Sequence, residues 1–135
     1  MTKQLLFTYG TLADPEFFEC ILNRTPSYQE AFLEDYQLWS DPRDGYLFIK
    51  PGSGTVSGKL VLLSLSEIEL IDLWEEVPIY QRELLSVISK QKAVNAFVYT
   101  RNNTIGLSTS NVPTKSRTEI LEAIKQFKRD NKNSG

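Results

Sequence analysis

The chain has 135 residues, of which 41% are hydrophobic and 24% are charged, as in an ordinary globular domain. Its 15 basic and 17 acidic residues give a net charge of -2, which argues against a nucleic-acid-binding surface. The lack of histidine excludes Ser-His-Asp and Cys-His pairs and imidazole zinc sites, and the single cysteine, Cys20, excludes an internal disulfide. Proton transfer in an enzyme of this composition would use carboxylate, tyrosine, lysine or backbone groups.

The chain shows neither a targeting segment nor a membrane span. The sequence turns polar soon after Phe7, without the long apolar run and small-residue cleavage site of a signal peptide. No window approaches the roughly 18 apolar residues of a membrane helix. We therefore expect a cytoplasmic protein with one domain over residues 1–130 and a frayed tail over residues 131–135. A reducing cytoplasm also suits a lone cysteine.

The first half of the chain predicts strands separated by one short helix. Asp14-Pro15 is typical of an N-cap followed by proline at the first helical position, which predicts a helix over residues 15–23. Pro51-Gly52-Ser53-Gly54 predicts a hairpin turn, and Gly58 predicts a bulge or a close backbone approach. The predicted strands of this half are residues 3–9, 28–39 with a break near Asp35, 46–50 and 55–64.

The second half predicts two capped helices around a hairpin. Ser66 stands three residues before Glu69, a capping box whose helix should run to about residue 76, ahead of Pro78. Residues 82–89 and 93–100 form two β-like runs typical of a hairpin. The spacing recurs at residues 116–119 and opens an amphipathic helix to about residue 130. The mixture predicts an α+β fold, a mixed curled sheet or small β-barrel with flanking helices.

The segment Tyr9-Gly10-Thr11-Leu12 is the first candidate site, at a sharp exit from a strand just before a helix start. A glycine there allows successive backbone N–H groups to point outward together, beside a helix N-terminus. Such a cluster suits a carboxylate or a phosphate. Taken alone, the pattern is more often an ordinary turn.

The second candidate site lies at the end of the helix that precedes Pro78. At about 100° per residue, Glu75 falls at the margin of the apolar arc, whereas Glu76 falls on the acidic face with Asp72. The negative end of the helix and partial desolvation discourage ionisation of Glu75, which favours a base usable near neutral pH. The alternative is a helix end with its acids in water. Two further candidates, Tyr80 and Arg82, could line the same cavity, although Arg82 could equally form a surface ion pair.

Several segments between about residue 5 and residue 100 match, in order, the motifs of a known family. They are Phe7-Thr8-Tyr9-Gly10-Thr11-Leu12, similar to F-x-Y-G-T-L; Gly45-Tyr46, and Pro51-Gly52-Ser53-Gly54 with Val56 and Gly58-Lys59-Leu60, similar to PGSG and V-x-G-x-L; Ile71-Asp72-Leu73-Trp74-Glu75, similar to L-D-x-h-E; Pro78-Ile79-Tyr80-Gln81-Arg82, similar to Y-x-R; and Ala96-Phe97-Val98-Tyr99, similar to A-x-V-Y. On these segments the chain resembles the γ-glutamylcyclotransferase-like superfamily, specifically its γ-glutamylamine cyclotransferase and AIG2-like members.

The resemblance implies a barrel-like fold with a cavity at one side. It also implies an enzyme that cyclises the γ-glutamyl group of a γ-glutamyl amine or amino acid to 5-oxoproline and releases the free amine. In that family the backbone N–H groups of the Y-G-T-L loop bind the substrate's α-carboxylate and the helix glutamate is the general acid/base. The substrate-binding residues are then Tyr9, Gly10, Thr11 and Leu12, with Tyr80 and Arg82, and the catalytic residue is Glu75.

The implied reaction needs no cofactor and no metal, and the expected partner is a small γ-glutamyl substrate rather than nucleic acid or a membrane. One alternative is a non-catalytic small-molecule-binding module of the same fold. Another is a cyclotransferase that trims γ-glutamyl groups from a biosynthetic intermediate or a crosslinked lysine. The sequence leaves open the leaving group, which we expect loops at residues 40–44 and 102–111 to select, and the oligomeric state.

Overall fold

The computed structural model describes residues 3–41, 46–75, 80–101, 107–108 and 116–131. Its elements, in chain order, are β1 (Lys3–Thr8), a 3₁₀ turn (Thr11–Ala13), α1 (Pro15–Leu22), β2 (Gln29–Ser40), β3 (Leu47–Ser64), α2 (Leu65–Trp74), β4 (Tyr80–Ser89), β5 (Lys92–Arg101), β6 (Leu107–Ser108) and α3 (Arg117–Asn131). Several predicted features lie outside the described residues, namely Gly45, Glu76, Pro78, most of the loop at 102–111 and residues 132–135.

Five of these strands close into a barrel. β1 pairs antiparallel with β3, β3 with β2, β2 with β4, and β4 with β5. The circle closes where β5 runs parallel to β1, at the pair Leu6 and Phe97. β6 adds a short antiparallel pairing beside the end of β2. The predicted α+β fold built on a mixed, curled sheet is therefore confirmed.

Alternate side chains of the strands divide into two apolar clusters. Successive residues of a strand face opposite sides of the sheet, so Phe7 points into the barrel while Leu6 points outward beneath the helices. Val98 and Tyr99 divide in the same way. The buried residues inside the barrel are Phe7, Ala31, Leu33, Ile49, Val56, Leu60, Val87, Ala96 and Val98. The outer cluster receives residues from all three described helices, among them Phe18, Ile71 and Ile124.

The prediction of a hairpin turn at Pro51-Gly52-Ser53-Gly54 is wrong. β3 runs through this segment as one strand of 18 residues, because the 12-residue β2 pairs with it on both sides. The predicted break near Asp35 is confirmed, since this residue has a φ of 66° at a shift in the register. Residues 52–54 lie opposite it as a bulge, which bends the paired strands without reversing the chain.

The capping box of α2 lies two residues earlier than the sequence predicted. The Oγ of Ser64 accepts the N–H of Glu67 at 3.2 Å, and Oε1 of Glu67 accepts the N–H of Ser64 at 2.9 Å. Ser64 and Ser66 both stand three residues before a glutamate. Glu67 also forms an ion pair with Arg24, at 2.6 Å. Glu69, the glutamate of the alternative box, forms no such pair within the described residues. A contact distant in sequence thus favours the earlier box.

The remaining local predictions are confirmed to within a residue or two. Asp14 caps α1 by accepting the N–H groups of the residues two and three positions later. The hairpin joins β4 to β5 through Lys90 and Gln91, which both have positive φ, and Ser116 forms the capping box of α3 with Glu119. None of the described helices is long and apolar enough to cross a membrane.

Gly58 lies where β3 approaches the backbone of β1, as the sequence predicted. A Cβ there would lie 2.3 Å from the carbonyl oxygen of Thr8 and 2.6 Å from the ring of Phe7. We expect Gly58→Ala to lower the free energy of unfolding by about 1–3 kcal/mol or more, measured by urea denaturation. The matched control is Gly54→Ala, whose Cβ would lie 3.2 Å from the carbonyl oxygen of Tyr36. Equal losses in the two variants would contradict this interpretation.

Candidate functional site

A cavity of about 930 Å³ opens at one end of the barrel, beside α2 and α3. β1 and β5 end there and β3 and β4 begin there, because β1 and β5 are parallel and their other neighbours antiparallel. Within the described residues no group of three or more cysteine or carboxylate side chains could hold a metal ion. The predicted site residues that line the cavity are Tyr9, Gly10, Thr11, Leu12, Glu75 and Tyr80.

The loop from Gly10 to Leu12 lines the cavity. The carbonyls of Gly10 and Thr11 accept the N–H groups of Ala13 and Asp14, at 3.0 and 3.2 Å. The N–H groups of Gly10, Thr11 and Leu12 have no hydrogen-bond partner within the described residues. A Cβ added at Gly10 would meet no atom within 4 Å. The loop therefore has backbone donors and open space beside Gly10, and its role in binding an anion stays a prediction.

Glu75 caps the C-terminus of α2, where its N–H donates to the carbonyl of Ile71 at 2.8 Å. Its side chain is partly buried and lines the cavity. Burial raises the pKa of the Tyr9 phenol well above its ordinary value, and the negative charge of Glu75 raises it further. The same charge contributes, after burial and Asp72, to the raised pKa of Tyr99. The Glu75 carboxylate and both phenols therefore face one region.

Arg82 reaches this region only through other side chains. Its Nη1 donates to Oδ2 of Asp72 at 2.6 Å, and the hydroxyl of Tyr99 donates to Oδ1 of the same carboxylate at 2.5 Å. The hydroxyl of Tyr9 donates in turn to the Tyr99 carbonyl at 2.6 Å. Arg82 is not among the residues that line the cavity. Its assignment as a substrate-binding residue stays a prediction, and its observed contact is the ion pair that the sequence left open.

Tyr80 lines the cavity through its ring. Its hydroxyl donates to the carbonyl of Leu47 at 3.0 Å, which holds the start of β4 against the start of β3. The guanidinium of Arg101 lies over the ring, 4.7 Å from its centroid. Tyr80 therefore borders both the predicted site and a charged group that the sequence analysis did not name.

Tyr99 and Arg101 are two cavity residues that were not predicted as site residues from the sequence. Both line the cavity from the end of β5. Arg101 donates from Nη1 to Oδ2 of Asp41 at 2.7 Å, and both side chains are buried. One feature of the sequence could have indicated Arg101. It is a charged residue at the end of an apolar run, shortly after Val98 and Tyr99. Its partner is 60 residues away and could not be inferred.

The contribution of α3 to the wall of the cavity was also not predicted from the sequence. Ile120, Ala123 and Phe127 line the cavity, and Phe127 packs edge-on against Trp74 with 5.4 Å between ring centroids. Arg117 fastens the start of the helix to the start of α1, through Asp14 at 2.7 Å and Glu16 at 2.6 Å.

The family model described as gamma-glutamyl cyclotransferase, AIG2-like matches residues 6–121. The chain belongs to this family. It is 31% identical over 100 residues to AIG2-like protein C of Arabidopsis thaliana, a match that covers 70% of this chain and 58% of that protein. It is 32% identical over 90 residues to AIG2-like protein D of the same plant, covering 65% and 59%. The chain thus spans less than two thirds of these curated relatives.

Solved structures show the same fold at lower identity. A protein of Arabidopsis thaliana with a solution structure superposes with a TM-score of 0.69 at 23% identity, covering 98% of this chain and 86% of the other. A structure named gamma-glutamyl cyclotransferase gives a TM-score of 0.71 at 17% identity, covering 96% and 80%. The barrel with its flanking helices is therefore the architecture of this family.

The raised pKa values of Tyr9 and Tyr99 predict a loss of stability in alkali. The folded state keeps phenol protons that the unfolded chain releases near the ordinary pKa of 10.0. Their contribution to stability is complete below about pH 10 and is lost as the pH rises towards the higher folded-state values. We expect the urea midpoint to fall above about pH 10 and the slope to be shallower in Tyr9→Phe. An equally steep slope in this variant would contradict the assignment to Tyr9.

Proposed function

We propose that the protein is a γ-glutamylcyclotransferase-type enzyme. It cyclises the γ-glutamyl group of a γ-glutamyl amine or amino acid to 5-oxoproline and releases the free amine. One observation carries the proposal: the carboxylate side chain of Glu75 and the unpartnered N–H groups of the loop from Gly10 to Leu12 line the same cavity. Membership of the gamma-glutamyl cyclotransferase, AIG2-like family supports the reaction class.

The loop from Gly10 to Leu12 binds the α-carboxylate of the substrate in this proposal. A carboxylate placed on three successive N–H groups fixes the near end of the glutamyl chain, beside the start of α1. The α-amine and the γ-carbonyl then belong to one folded chain in a confined space. Holding them in an attack geometry removes much of the entropic barrier, since the nucleophile is part of the substrate.

Glu75 transfers the proton that the ring closure requires. The free α-amine forms a bond to the carbon of the γ-carbonyl group, and the bond from that carbonyl carbon to the leaving nitrogen breaks. Glu75 accepts a proton from the attacking nitrogen and returns it to the leaving nitrogen, so that one carboxylate acts first as base and then as acid. Such a sequence needs no histidine, which this chain lacks.

The tyrosines around Glu75 act as neutral groups. Burial and neighbouring carboxylates raise the pKa of Tyr9 and of Tyr99, so both phenols stay protonated at neutral pH. Asp72 accepts from Tyr99 and from Arg82, which makes Arg82 a positioning residue for the Tyr99 ring. Tyr80 is part of the wall of the cavity.

Replacing Glu75 tests the proton transfer. We expect Glu75→Gln to lower kcat by about 10²–10⁴-fold, because the amide cannot shuttle a proton. The matched control is Glu69→Gln, which removes the same charge from an exposed position on the same helix and should keep kcat within about twofold. The measurement is 5-oxoproline release at saturating substrate. Full turnover in Glu75→Gln together with its loss in Glu76→Gln would transfer the role to the next residue.

A panel of γ-glutamyl amino acids, γ-glutamyl amines and γ-glutamyl-ε-lysine tests the reaction itself. We expect at least one of these to yield 5-oxoproline and free amine in equal amounts, since both products come from one bond cleavage. Calorimetry with the same compounds separates catalysis from recognition. Tight binding of a γ-glutamyl compound or of 5-oxoproline without turnover of any substrate would overturn the enzymatic proposal in favour of a binding module.

A further inference from the structure

Arg101 is a buried cation at the cavity, held in place on several sides. Its side chain is 6% exposed and that of its ion-pair partner Asp41 is 0% exposed. The guanidinium lies 4.7 Å from the ring centroid of Tyr80 and 5.0 Å from that of Phe48. Contacts of this kind fix the plane of a guanidinium, so that any hydrogen bond it makes elsewhere loses little side-chain entropy.

Most of the hydrogen-bonding capacity of Arg101 remains unused by the described residues. A guanidinium has five N–H donors, and within the described part of the chain the one hydrogen bond of this side chain joins Nη1 to Asp41. The buried, unpartnered polar side-chain atoms of that part are Trp39 Nε1 and Ser40 Oγ, so Nε and Nη2 of Arg101 are not sealed in the core. Because Arg101 lines the cavity, we infer that a ligand in the cavity can reach these donors.

Arg101 acts in the same part of the cavity as Glu75. The phenol of Tyr9 interacts electrostatically with both charges, since Glu75 raises the pKa of this tyrosine and Arg101 lowers it. The cavity therefore carries two distinct anion-binding features, the backbone loop from Gly10 to Leu12 and the guanidinium of Arg101. One γ-glutamyl group supplies a single carboxylate for these two features.

We propose that Arg101 is a specificity-determining residue that binds a carboxylate on the leaving half of the substrate. The inference rests on the proposed function and narrows its substrate class to γ-glutamyl amino acids and peptides, in preference to γ-glutamyl amines. An arginine held from behind by a carboxylate and supported by aromatic rings offers a planar pair of donors that matches a carboxylate. Asp41 is that supporting carboxylate.

Two substrates that differ only in this carboxylate, γ-glutamyl-alanine and γ-glutamyl-ethylamide, test the inference. We expect the native protein to prefer γ-glutamyl-alanine in kcat/KM, measured by 5-oxoproline release. Arg101→Gln should lower the ratio of the two kcat/KM values by about 10- to 100-fold, the effect of a charge-assisted hydrogen bond. The ratio for Arg101→Lys should lie between those of the native protein and Arg101→Gln, because lysine keeps the charge and loses the planar donor pair.

Arg101→Gln also leaves Asp41 buried without its cation, which could unfold the protein. The double variant Asp41→Asn/Arg101→Gln removes both charges and should show the same loss of preference. The matched control is Arg24→Gln, since Arg24 also pairs with a carboxylate and lies over an aromatic ring but does not line the cavity. We expect Arg24→Gln to keep the native ratio.

Equal losses for both substrates in Arg101→Gln and in the double variant would overturn the inference, since they would indicate a structural role or binding of the α-carboxylate. If the native protein releases 5-oxoproline neither from these two substrates nor from any other compound of the panel, the proposed function fails. The inference about Arg101 is then decided by calorimetry, as the ratio of the two dissociation constants. A ratio unchanged between the native protein and the double variant would overturn it, and a fall of about 10- to 100-fold would support it.

Discussion

The parallel pairing of β1 with β5 is the constraint on which the rest of the structure depends. It sets two strands side by side with their C-terminal ends together, at the end of the barrel where antiparallel β3 and β4 begin. The loop after Tyr9 therefore lies at the same end of the barrel as Tyr99 and Arg101. In a wholly antiparallel arrangement, neighbouring strands would end on opposite sides and the cavity would lose one of its two polar walls.

A site without histidine depends on how its carboxylates and phenols are partnered. Asp41 and Asp72 each form an ion pair with an arginine, at 2.7 and 2.6 Å. These pairs hold charged side chains in fixed places around the barrel end, where burial would otherwise disfavour them. Tyr9 and Tyr99 keep their protons because burial and nearby negative charge raise their pKa values. The chain thus builds an ordered polar region from acids, phenols and guanidinium groups alone.

Local signals in the sequence predicted most of the elements, and the errors arose where long-range contacts decide the structure. The N-cap at Asp14 and the turn between β4 and β5 depend on a few adjacent residues, so both were predicted closely. The continuity of β3 depends on pairing with a strand that precedes it, and the choice of Ser64 as N-cap coincides with an ion pair to Arg24. The same holds for the site. The segments around Gly10 and Glu75 carry recognisable motifs, whereas the position of Arg101 in the cavity depends on partners far along the chain.

The two carboxylates one turn apart at the end of α2 illustrate how the same residue chemistry takes different roles. Asp72 accepts hydrogen bonds from Arg82 and Tyr99, so its charge stabilises an arrangement of neighbouring side chains. Glu75 follows the last helical residue, partly buried, with its side chain at the cavity. Glu75 lines the cavity and Asp72 does not, which is the geometric reason to assign the proposed proton transfer to Glu75.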